Sequence, residues 1–142
     1  MVVKPIWNIQ LNIQKPIEGY PKPEDLSLGA ELKRRRLELG ITQKQAALRL
    51  GILPANYARF ERNVHIPHIK KRKEINKFLG FNYWDDGSNS LGNRLLQYRL
   101  QNQLSAKELG KVIGVSRNTI KRLELGNKVS GETKALINHW FE

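Results

Sequence analysis

The sequence predicts a mainly α chain: two copies of one small helical unit of four to five helices, preceded by a single β-strand. Three observations point there. A set of residues recurs at a constant offset of 63: Leu28-Gly29, Leu32, Arg36-Leu37, Lys44, Gly51, Arg59 and Glu61 return as Leu91-Gly92, Leu95, Arg99-Leu100, Lys107, Gly114, Arg122 and Glu124. Each copy carries paired helix-start signals separated by a glycine. Strict alternation of apolar and polar residues, the mark of a strand, occurs in one place only, near the N-terminus.

Taken in chain order, Trp7, Ile9, Leu11 and Ile13 alternate with Asn8, Gln10, Asn12 and Gln14, which predicts a half-buried strand. A lone strand leaves its backbone groups unpaired, so its expected partner is the same segment of a second copy, making a homodimer. Pro16, Gly19, Pro21 and Pro23 then mark a linker. The segments are therefore 1–26, strand and linker; 27–81, first unit; 82–90, linker around Asp85-Asp86-Gly87 with only a few residues of true loop; and 91–142, second unit.

Within the first unit, Leu28 to Leu39 reads as a helix capped by Ser27 and ended by Gly40. Thr42-x-x-Gln45 and, in the second unit, Ser105-x-x-Glu108 are capping boxes that start the second helix of each copy. Gly51 and Gly114 follow where a tight turn favours positive φ. Ser116 caps a third helix beginning at Arg117, whereas the first copy has Leu53, a poor cap, before Pro54, a residue suited to the first helical position. A fourth helix is expected over Pro67–Leu79 and Ser130–Phe141. There the offset slips to 62 and pairs Ile75, Phe78 and Leu79 with Ile137, Trp140 and Phe141 as core residues. Units of roughly 55 residues are marginal alone, so the two are expected to pack on one another. Trp7, Trp84 and Trp140 are expected as packing anchors.

The net charge of +12 is unevenly spread: residues 27–80 hold thirteen Lys and Arg against four Asp and Glu, while residues 81–142 hold nine against six. A polyanion is the simplest partner for such a chain. The absence of cysteine excludes disulfides and thiolate chemistry. His65, His68 and His139 form no helical metal pair, so no metal and no cofactor is expected. No apolar run reaches the ~18 residues of a membrane span, and the interrupted N-terminus lacks the stretch of a signal peptide, so a cytoplasmic protein is expected.

At ~100° per residue, Arg117, Asn118, Lys121 and Arg122 occupy one arc of the third helix and Ile120 and Leu123 the opposite one. That arc suits a groove of duplex DNA, since Arg forks onto guanine O6 and N7, and Asn onto adenine N6 and N7. A solvated helix face is the plainer alternative. The first copy has Pro54, Ala55, Ala58 and Arg59 in the same places, and its earlier helices add Lys33, Arg34, Arg35, Arg36 and Lys44. Arg36 and Arg99 have a structural alternative as ion-pair partners of Glu61 and Glu124. The run Lys70-Lys71-Arg72-Lys73 with Lys77 suits either phosphate contact or solvent.

Gly110, Gly114, Val115, Ser116, Ile120, Leu123, Glu124 and Gly126 form a recognisable set: a small residue in mid-helix, a turn glycine, an apolar residue, a cap, two anchors, then Glu and Gly. In this, residues 104–126 resemble the helix-turn-helix of the phage-repressor family, of the lambda repressor, Cro and xenobiotic-response-element type. The first copy matches with Ala47, Gly51, Ile52, Tyr57, Phe60 and Glu61, and departs at Leu53 and Asn63. The resemblance implies two tandem domains of that fold, and a place near a phosphate for Gln43. The function expected is sequence-specific binding of double-stranded DNA by a transcriptional regulator, a repressor, through recognition helices 54–62 and 117–125. Its DNA-binding candidates are Arg117, Asn118, Lys121, Arg122, Gln43, Lys44, Arg59 and Arg34. An antitoxin-like protein of the same fold that binds a protein partner is the alternative. A nuclease or recombinase has least support, because Asp85-Asp86 lacks clustered partners, and no catalytic step is expected.

Overall fold

The structure, a computed structural model, describes residues 18–142. Among the described residues the elements are all helical. They are α1 (Leu28–Glu38), α2 (Gln43–Leu50), α3 (Pro54–Glu61), α4 (Ile69–Leu79), α5 (Leu91–Asn102), α6 (Ala106–Ile113), α7 (Arg117–Glu124) and α8 (Gly131–Trp140). The strand expected over residues 7–14, and the homodimer expected through it, lie outside the described residues.

Local chemistry accounts for most helix starts. Ser27, Ser90, Ser116 and Ser130 each accept a hydrogen bond from a backbone N–H in the first turn. Thr42 with Gln45 and Ser105 with Glu108 form complete capping boxes. Gly51 (φ +63°) and Gly114 (φ +95°) end α2 and α6 in the left-handed region, as the turn requires.

Two details differ from the sequence expectation. The fourth helix of the first copy begins at Ile69, two residues after Pro67, because the His68 imidazole serves as its cap and accepts from Lys70 N–H. The linker is also longer than expected: residues 80–90 are all non-helical, organised by the Asp85 and Asp86 carboxylates, which accept from the N–H groups of Gly87 and Ser88.

Each copy closes its own core. The first gathers Leu32, Ala47, Leu50, Tyr57 and Ile75, and the second Leu95, Leu109, Ile113, Ile120 and Ile137, so the slipped pairing of Ile75 with Ile137 holds. Tyr98, Trp140 and Phe141 close the second core with edge-on aromatic contacts. The repeated Leu-Gly pair has a steric cause: a Cβ on Gly29 would strike the Glu61 carbonyl, and one on Gly92 the Leu123 carbonyl. These glycines let the start of α1 sit against the end of α3, and α5 against α7.

The copies pack on one another through α4 and α5, as two small cores needing extra burial would. Asn82 donates to the Gln97 side chain (2.6 Å), Gln97 donates to the Trp84 carbonyl (3.0 Å), and the Arg72 guanidinium lies 4.9 Å from the Trp84 ring centroid.

Candidate nucleic-acid interface

The unit built by α6 and α7 is a tight corner. Gly110 faces the turn so closely that a Cβ there would lie 2.5 Å from the Val115 carbonyl oxygen; Ala47, fully buried, takes that place in the first copy. Ser116 Oγ accepts from Thr119 N–H at 3.1 Å and starts α7 at a fixed point. Ile120 then anchors the helix in the core, which turns Arg117, Asn118, Lys121 and Arg122 outward, all four exposed. Arg122 also donates to the Lys128 carbonyl (3.1 Å) and so braces the loop after α7.

Behind this face a buried ion pair sets the helix angle. Arg99 Nη1 donates to both Glu124 carboxylate oxygens at 2.6 and 2.7 Å, and its Nε to the Leu104 carbonyl. The first copy repeats the device: Arg36 holds Glu61 at 2.6 Å and also donates to the Ile41 carbonyl. The recurring arginines are thus structural ion-pair partners, one of the two roles open to them in the sequence. Burial disfavours the Glu61 charge, yet the donors around it, Arg36 foremost, outweigh that and hold its pKa below the usual carboxylate value.

The remaining candidates divide. Gln43, exposed at the start of α2, donates its amide to Glu61 at 3.1 Å, so the ion pair positions it. Lys44 is exposed beside it. Arg59, exposed on α3, donates to the Asn56 side chain at 3.3 Å. Arg34 is committed elsewhere: it pairs with Glu31 (2.7 Å) and donates to the carbonyls of Lys22 and Asp25, tying down the segment ahead of α1. In the basic run of α4, Lys71 donates to the Gly51 carbonyl and so caps α2, and Arg72 packs on Trp84, leaving Lys70 and Lys73 exposed.

Asn63 is a positioning residue that a departure from the family pattern marked without explaining. It adopts φ +57°, its side-chain oxygen accepts from Gly29 N–H (2.8 Å), and its amide donates to Ser27 Oγ (3.0 Å), which clamps the end of α3 to the start of α1. Gly126 holds the equivalent left-handed place after α7 without that clamp.

A helix-turn-helix family model matches the chain twice, over residues 32–83 and 95–138, together more than half its length. The chain belongs to the helix-turn-helix family. It does so as two tandem copies of the lambda repressor and Cro type, as the repeat predicted. Searches of curated proteins and of solved structures return no match. Membership makes this helix-turn-helix protein a DNA-binding protein of the transcription-regulator type. Among the described residues no helix is long and apolar enough to cross a membrane.

Proposed function

We propose that this helix-turn-helix protein binds double-stranded DNA sequence-specifically and acts as a transcriptional repressor, with α3 and α7 each entering a major groove. The observation that carries the reading is the α7 face: Arg117, Asn118 and Lys121 stand exposed on a helix whose opposite side is locked by the fully buried Ile120 and by the Arg99–Glu124 pair. A rigid helix presenting Arg and Asn at its N-terminal end supplies two side chains able to fork onto base edges. The exposed Lys44, Arg59 and Arg62 of the first copy suit phosphate attraction, which adds affinity that carries little sequence information. Repression needs only that the bound site overlap a promoter.

The test is selection of bound sequences from a random duplex pool at physiological salt, with wild type and the Arg117→Ala, Asn118→Ala double variant. An enriched motif that loses some of its positions in the variant is the expected result. Motif-free binding that fades steeply with salt would contradict the proposal and leave only backbone attraction.

A further inference from the structure

We infer that the first copy reads pyrimidine 5-methyl groups, carried by thymine or 5-methylcytosine, through Leu53 and Ala55. This rests on the duplex-binding reading above and specifies what the less polar of the two recognition helices recognises. By the repeat offset, Leu53, Pro54, Ala55 and Ala58 stand where the second copy has Ser116, Arg117, Asn118 and Lys121. None of the four has a side-chain hydrogen-bond donor, so this edge of α3 cannot fork onto bases as α7 can.

Leu53 breaks a local rule that every other helix start in the described residues obeys. Ser27, Thr42, His68, Ser90, Ser105, Ser116 and Ser130 each accept from a first-turn N–H, whereas Leu53 makes no cap bond and is 67% exposed. An exposed leucine at a cap site serves neither the helix nor the core, and such departures mark surfaces used for something else.

The surroundings identify the partner. Exposed Lys44, Arg49, Arg59 and Arg62 lie on α2, on α3 and at the end of α3, and the one acid of these two helices, Glu61, is paired inward with Arg36. An apolar strip on a helix pair whose exposed charges are all cationic suits a groove floor bordered by phosphates. A protein interface would call instead for large anchors such as Trp or Tyr, and Pro and Ala offer none. In the major groove the apolar feature is the pyrimidine 5-methyl group, and small apolar side chains are its usual neighbours.

The test uses the full chain and a duplex recovered by the selection above. Motif positions that survive when Lys121→Ala is added to the Arg117→Ala, Asn118→Ala change are assigned to the first copy. At those positions each thymine is replaced by uracil, and in a second arm each cytosine by 5-methylcytosine. The expected result is about fourfold weaker binding for a contacted thymine methyl lost, or about fourfold tighter binding for a methyl gained on cytosine, which tells the two sources apart. A Leu53→Ser, Ala55→Ser variant, which restores a cap, should melt no lower than wild type and bind methylated and unmethylated duplexes alike. Equal binding of all duplexes by wild type, a motif with no first-copy positions, or a variant that keeps the discrimination would each overturn the inference while leaving DNA reading by α7 intact. The absence of any motif would overturn both.

Discussion

At the scale of single residues, the recurring Arg and Glu hold the ends of α3 and α7 against the helices behind them, the rigidity that the proposed reading of DNA requires. Arg99 and Glu124 are nearly buried, so removing one strands the other in a dry site. Arg99→Ala should therefore cost about 3 kcal/mol or more, read from urea denaturation, and should blur sequence preference because α7 loses its fixed angle. Glu61 makes a pH prediction. Its folded pKa lies below the ordinary value of 4.5, so its stabilisation is fully present above that value and is lost as pH falls through the folded pKa. Denaturation midpoints of wild type should drop as pH falls below the ordinary carboxylate value, with the advantage over Glu61→Gln narrowing as they do. The ion pairs were legible because both partners recur at one offset. The tethering of Arg34 to Lys22 and Asp25 was not, since nothing in a run of four basic residues says which one folds back.

At the scale of helices, caps and close contacts decide where α3 and α7 lie. Gly92→Ala should destabilise by about 1–3 kcal/mol, because the Cβ meets the Leu123 backbone, which cannot move without displacing α7. Gly131→Ala, where a Cβ meets nothing, is the matched control and should be neutral or slightly stabilising in thermal melts. Asn63→Gly keeps the left-handed backbone but loses the clamp on Ser27 and Gly29, so it separates the two contributions of that residue. Several helix starts were legible because a Ser or Thr ahead of a helical run, in two cases with a following Gln or Glu, carries a mechanism in its spacing. His68 was missed as a cap because Pro67 offered the commoner start signal. Gln103 occupies the left-handed region at φ +55° at a cost of about 1 kcal/mol, and only its alignment with Gly40 hints at that.

At the scale of the whole molecule, two weakly stable units become one through α4, α5 and the linker between them. Arg72 stacks on Trp84 and donates to the Pro67 carbonyl, so it ties the first copy to the linker that leads into the second. Arg72→Ala should loosen the fixed spacing of the two recognition helices. Wild type is expected to lose more affinity than the variant when one or two base pairs are inserted between the two parts of its selected site, as titration of such duplexes would show. The division into two copies was legible from the repeat, and their need to pack from their size. The contact itself was not, because a cation on an aromatic ring twelve residues away follows no helical or strand period.

The proposed function requires that the α7 face read base sequence rather than charge alone. Its most direct measurement is the ratio of affinities for the selected and a scrambled duplex at physiological salt, in wild type and in the Arg117→Ala, Asn118→Ala variant. The wild-type ratio is expected to be about a thousandfold or more and to fall at least about tenfold in the variant, to what the remaining motif positions supply, while binding to the scrambled duplex changes little. A wild-type ratio near one, or a ratio the variant retains, would contradict it.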